Sequence, residues 1–220
     1  MKKILSLAML LVFSFAVYAQ KDVTKFLGIP VDGKKSEMIK KLKEKGFTES
    51  MLGDDVLEGE FNGVDVYISV VTNNNKVYRI YVADANTLNE ADIIIRYNNL
   101  CYQFQHNKKY MPTLIDLHSI PTKENIAYEM SVNNKRYETA FYQMPDSALI
   151  TQKVYSEYSK KQLDNLTEEL RKEINDKTAS YMIDTMFKKC VWFMIAERLG
   201  GYYIAMFYDN KYNQAQGEDL

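Results

Sequence analysis

The sequence predicts an α+β fold: an antiparallel sheet built from a meander and hairpins, packed against two to three helices. Three observations carry that expectation. Residues 56–83 alternate apolar and polar side chains with period two, broken by Asn62-Gly63 and by Thr72–Lys76. Residues 87–106 switch to a helical period, with Ile94, Tyr97, Cys101 and Phe104 at spacings of 3, 4 and 3. Cys190–Asn210 holds two aromatic, apolar runs joined by Glu197–Gly201 and reads as a hairpin; their nearly continuous apolar character predicts central strands covered on both faces.

The N-terminus comes first. Lys2 and Lys3 precede the apolar run Ile4–Val17 and then Tyr18-Ala19-Gln20, the pattern of a secretory signal peptide over residues 1–19 cut after Ala19. The run is shorter than the ~20 residues a spanning helix needs, so no membrane span is expected after cleavage. Residues 20–220 then read as a single α+β domain, with a weak candidate subdivision near 111–124 and no Pro/Gly/Ser-rich linker.

Within it, Leu27–Gly33 is a turn-rich entry. Lys34–Lys45 is the first helix, with Met38, Ile39 and Leu42 on one stripe and Gly46 at its stop. Val56–Phe61, Val64–Val71 and Val77–Ala83 form the meander, Val64, Val66, Ile68 and Val70 sharing a face. Thr87-Leu88-Asn89-Glu90 matches a capping box opening a helix to His106. Met111–Pro121 is irregular. Asn125–Val132 and Arg136–Met144 read as a second hairpin around Asn133-Asn134-Lys135. A helical region over Ser159–Lys177 follows, with Thr178–Lys189 ambiguous.

Composition narrows the function classes. The formal charge is −1, and removing Lys2 and Lys3 makes it −3. A weakly acidic chain without a basic cluster is not built for nucleic acid. Cys101 and Cys190 are the two cysteines, and export makes a disulfide between them a candidate; two separate buried thiols is the alternative. His106 and His118 are the two histidines. No HExxH, CxxC, G-x-S-x-G, phosphate-binding loop or dinucleotide fingerprint occurs, so no catalytic, metal or cofactor residues are assigned. Asp116-Leu117-His118-Ser119 is sequence adjacency rather than a triad, and Glu58 with Glu60 is most simply a charged strand face.

The binding signal is tyrosine: 17 against 10 phenylalanines, more than a core of this size needs with every hydroxyl satisfied. Tyr67, Tyr78, Tyr128, Tyr137 and Tyr142 are the candidate binding surface. Asn165-Leu166-Thr167 has the form of an N-glycosylation triplet. Asp146-Ser147-Ala148 and Asp184-Thr185-Met186 resemble the Asp-Ser/Thr-apolar sites at which some gut bacteria O-glycosylate exported proteins. Ser147, in an expected loop, is the candidate acceptor.

Phe26–Phe47 (FLGIPVDGKKSEMIKKLKEKGF), Val71–Thr87 (VTNNNKVYRIYVADANT) and Phe207–Leu220 (FYDNKYNQAQGEDL) make the chain resemble exported α+β proteins of anaerobic Gram-negative gut bacteria that carry no assigned function. The resemblance implies a periplasmic or surface location and no particular activity. The helix-then-meander order of Lys34–Ala83 also resembles small envelope-assembly and inhibitor modules. The expectation is a periplasmic or extracellular, non-enzymatic protein that binds an envelope protein or glycan. A carboxylate-dependent hydrolase of cell-wall or dietary polymer and a structural subunit of an envelope assembly are the alternatives.

Overall fold

The computed structural model describes residues 21–113 and 119–215. The expected signal peptide and its cleavage point, Asp116, His118 and the last five residues of the polar tail lie outside the described residues. The chain forms two compact units: Val23–Met144 with Met186 onward, and Pro145–Thr185 with Asp22.

The first unit is an α+β sheet structure. Its strands are β1 (Lys25–Phe26), β2 (Ile29–Pro30), β3 (Thr48–Glu49), β4 (Val56–Phe61), β5 (Val64–Asn73), β6 (Lys76–Asp84), β7 (Tyr110–Pro112), β8 (Glu138–Gln143), β9 (Lys189–Arg198) and β10 (Gly201–Asn210). β1 and β2 form a two-stranded sheet; the others form one antiparallel sheet in the order β3-β4-β5-β6-β10-β9-β8-β7. Three two-residue turns with left-handed backbone set the registers: Asn62-Gly63 (φ 54, 77), Asn74-Asn75 (φ 47, 61) and Leu199-Gly200 (φ 53, 77). Turns of this hand match the right-handed twist of the strands they join.

Helices α1 (Lys35–Glu44), α2 (Glu90–His106) and α3 (Ile126–Ser131) pack on one face of this sheet. Met38 and Leu42 of α1, and Ile93, Ile94, Tyr97, Leu100, Cys101 and Phe104 of α2, are buried against it. The sheet contributes Leu57, Ile68, Ile80, Phe141, Val191, Phe193 and Ile195, all 0% exposed. Aromatic rings bind α2 to the sheet: Tyr97 meets Phe193 edge-on at 5.3 Å, and Phe104 stacks on Phe141 at 4.7 Å. Arg96 of α2 holds Asp84 of β6 through two bonds of 2.6 Å. Gly59 is needed for closeness, because a Cβ there would stand 2.7 Å from the Phe47 ring.

Three expectations change. The helix at residue 90 is capped by Asn89, whose side chain accepts from Asp92 N–H, two residues later than the Thr87 box predicted. Asn125–Val132 is not a strand. Asn125 caps α3 by accepting from Tyr128 N–H, and Ile126 turns into the core. The partners of β8 are therefore β7 and β9 rather than residues 125–132. The stretch expected to be irregular supplies β7.

The second unit contains α4 (Ser147–Tyr155), α5 (Lys160–Asp164) and most of α6 (Glu168–Phe187), whose last two residues belong to the sheet unit. The ambiguous stretch Thr178–Lys189 is thus helical as far as Phe187, and Lys189 opens β9. Ile150, Val154 and Ile174 form a small core bordered by Leu163, Leu166 and Leu170. Polar contacts supplement it. The Tyr181 hydroxyl donates to Glu157 at 2.8 Å, Lys177 pairs with Glu157 at 2.9 Å, and the Tyr158 hydroxyl donates to Glu173 at 2.9 Å. Asp146 caps α4 by accepting from the N–H groups of Ala148 and Leu149.

Candidate interaction surface

The helices of the sheet unit bury only one set of alternating residues, and the other set faces away from them. The register arranges that second face in rows across six strands. One row runs Val56, Ser69, Tyr81, Phe207, Trp192, Ala140; a second runs Glu58, Tyr67, Ala83, Ala205, Met194, Glu138. Most of these side chains are partly exposed. Of the hairpin expected to be covered on both faces, β9 is covered on one: Val191, Phe193 and Ile195 are buried, while Trp192, Met194 and Ala196 are partly exposed. On β10 the open-face residues Ala205 and Asp209 are buried as well.

A cluster occupies the middle. Arg79 on β6 donates to Asp209 on β10 through Nε at 2.6 Å and Nη2 at 2.8 Å. The Trp192 indole N–H donates to the same carboxylate at 2.9 Å. Trp192 lies flat on Phe207, with ring centroids 3.9 Å apart and planes 13° from parallel. The Arg79 guanidinium sits 4.9 Å from the Phe207 centroid and 5.6 Å from that of Trp192. The hydrogen bond to Asp209 holds the Arg79 pKa above its ordinary value. Beside the cluster, Ala83 and Ala205 make a low floor, flanked by Tyr81 and Tyr203. Burial, then the neighbouring Tyr203 hydroxyl, pushes the Tyr81 phenol up.

The five candidate tyrosines separate. Tyr67 and Tyr142 lie on the open face, Tyr142 with Phe187 edge-on at 5.2 Å. Tyr78 sits where the β5–β6 register shifts, 5.7 Å from the Arg79 guanidinium. Tyr128 is exposed on α3, apart from this face. Tyr137 is a correction: it is 5% exposed, and its hydroxyl donates to Glu124 at 2.7 Å. Strand alternation explains this, since Glu138, Ala140 and Tyr142 take the open side and Tyr137, Thr139 and Phe141 the covered one. Reasoning from tyrosine content missed Trp192, Phe207, Arg79 and Asp209. The signal was present in the hairpin: a turn at Leu199-Gly200 pairs Trp192 with Phe207 and Cys190 with Asp209.

The remaining candidates fall elsewhere. Cys101 and Cys190 are free thiols. Cys101 is buried on α2 under the covered face, whereas Cys190 alternates onto the open face, so the sheet lies between them. Burial pushes both thiols up to about 11. Ser147 is exposed as the first residue of α4, and Thr185 is buried. His106 is exposed and stacks on Tyr102 at 3.9 Å. Among the described residues no group of three or more His, Cys, Asp or Glu side chains is placed to hold a metal ion. A cleft of about 870 Å³ lies between the start of α1 and the β5–β6 turn, lined by Lys34, Lys35, Ser36, Asn74, Asn75 and Lys76 among others. Lys35 is paired there with Asp55 at 3.0 Å.

These features define an α+β protein with one helix-covered sheet face and one open, aromatic face. Comparison with protein-family models, with curated proteins and with solved structures finds no match. Among the described residues, no helix is long and apolar enough to cross a membrane.

Proposed function

We propose that this chain is an exported, non-enzymatic interaction module whose open sheet face contacts a protein of the cell envelope. The observation that carries the reading is the Arg79–Asp209–Trp192–Phe207 cluster: a broad, partly exposed aromatic surface whose central charges neutralise one another. Such a surface combines apolar area with few unpaired polar groups, as the centre of a protein interface does. The same geometry favours a protein over a glycan. Sugar rings stack on free aromatic faces, and here Trp192 and Phe207 cover each other while Arg79 lies against both. Lys2, Lys3 and the run Ile4–Val17 support export.

The test places a photoreactive residue at Ala196 or Val71, on the open face, and at Lys40, on the outer side of α1, as the control. Crosslinking in cells is followed by mass spectrometry. A protein captured from the open face and not from Lys40 supports the reading. Equal or absent capture at both places refutes it.

A further inference from the structure

We propose that the helical unit is an acid-released segment: its helices open together while the sheet stays intact, and the Glu157 carboxylate is the latch that keeps them shut. Connectivity, core and polar contacts each bear on this.

Tyr142 and Cys190 are partners across β8 and β9, and the chain between them makes the helical unit. The sheet therefore holds the two ends of that unit together whether or not the helices are formed. Opening them requires no strand pair to break. The core of the unit is also small. Among the described residues its buried apolar cluster is Ile150, Val154 and Ile174, and α6, twenty residues long, buries only Ile174 and Thr185. A segment this short with so few buried side chains lies near the limit at which a core alone holds a fold.

Polar contacts close the unit. Glu173, Lys177 and Tyr181 follow one another at intervals of four on α6 and so form one stripe. That stripe meets the two residues of the turn after α4. Lys177 Nζ and the Tyr181 hydroxyl reach Glu157 at 2.9 and 2.8 Å, and the Tyr158 hydroxyl donates to Glu173 at 2.9 Å. Lys177 lies 5.0 Å from the Tyr158 ring centroid, and Lys153 of α4 lies 4.0 Å from that of Tyr181. Glu157 thus accepts from successive turns of α6 at once.

The hydrogen bond from Lys177, then that from Tyr181, holds the Glu157 carboxyl below its ordinary value of 4.5, and Lys153 adds to the attraction. The other charges at this seam are Glu173, beside Tyr158 and Lys177, and Asp184, near Tyr181. A carboxyl lowered in the folded state stabilises above its unfolded pKa and loses that contribution as pH falls through the folded value. Opening therefore grows below about pH 4.5.

The experiment is hydrogen exchange of the purified chain read by mass spectrometry, with labelling times scaled for the intrinsic rate at each pH. Near neutral pH, peptides from α4 and α6 are expected to exchange together, roughly tenfold or more faster than those from β9 and β10. Glu157→Gln should speed exchange across the helical unit by about two- to fivefold, the range for a partly exposed ion pair, and leave β9 and β10 unchanged. Lys177→Met should do the same from the other side, and Asp176→Asn, an exposed change on the same helix, should not. At about pH 4 the wild type should approach the behaviour of the Gln variant, whose own response to pH is smaller. Exchange of α4 and α6 at the rate of the sheet overturns independent opening. Independent opening that ignores Glu157→Gln and Lys177→Met, or variants that loosen β9 and β10 equally, overturns the latch.

Discussion

Asp209→Asn tests whether the polar cluster on the open face holds the sheet together. The substitution keeps the volume but removes the charge and one of two strong acceptors. In the wild type the Asp209 side chain is 6% exposed and the Arg79 side chain 25%. Leaving one member of a buried ion pair without its partner costs about 3–5 kcal/mol. Arg79 can recover some hydration through its exposed quarter, so the expected loss is about 2–3 kcal/mol. At ~2–4 °C per kcal/mol for a chain of this size, the melting temperature should fall by roughly 4–12 °C. Trp192 is the only tryptophan and donates to Asp209, so its fluorescence during urea unfolding reports on this site. Adding Arg79→Met should cost less than the sum of the two single changes, with a coupling of about 1–2 kcal/mol. A single-variant loss under ~0.5 kcal/mol, or strict additivity, would mean that the pair behaves as an exposed salt bridge and that the reasoning fails.

Other expectations follow from local geometry. Leu199 is 101% exposed and holds φ 53 in the central turn. Leu199→Asn gives up no burial and relieves an unfavourable conformation, so it should stabilise by about 0.5–1 kcal/mol; an unchanged urea midpoint would contradict this. Ellman's reagent should react slowly with the native protein and find two thiols after unfolding. With both thiols pushed up to about 11, their thiolate fraction near neutrality is about a hundredfold below that of an ordinary cysteine; a mass two protons lower under non-reducing conditions would instead reveal a disulfide. Burial also raises the phenols of Tyr97, Tyr137 and Tyr208. Groups whose folded pKa is raised stabilise fully below their unfolded pKa and lose that contribution as pH rises toward the folded value. Stability should therefore hold to about pH 9 and decline above it, and a midpoint that rises with alkalinity would refute the assignment. Gly59→Ala should lower stability by about 1–3 kcal/mol by forcing a methyl into Phe47, measured by thermal melting; no change in melting temperature would show that the Phe47 ring moves aside freely.

The meander and α2 were legible because each is marked locally. Asn62-Gly63 and the alternation from Val64 to Val70 specify turn and register, and Ile94, Tyr97, Cys101 and Phe104 specify a helix face. Asn125–Val132 misled because Ile126, Tyr128 and Met130 also fit a two-residue period over a short span; the Asn125 cap and the core around Ile126 decided for helix. The central cluster was harder to see for a different reason. Arg79 and Asp209 are separated by 130 positions, and nothing near either residue encodes that β10 inserts beside β6. The Trp192–Phe207 stack was within reach, because it depends only on the register of one hairpin.

The placement of β9 and β10 at the centre of the sheet bears on the order in which the protein can be made. These strands come last in the sheet, yet they are the seam between β6 on one side and β8 on the other. As the chain emerges, from a ribosome or through a pore, the early meander and the later β7–β8 pair have no direct partner in each other. They remain separate pieces until the final hairpin arrives to join them. The chain therefore stays threadable for nearly all of its synthesis and becomes one continuous sheet only at the end. Cutting it a few residues into β10 should remove the keystone rather than trim an edge.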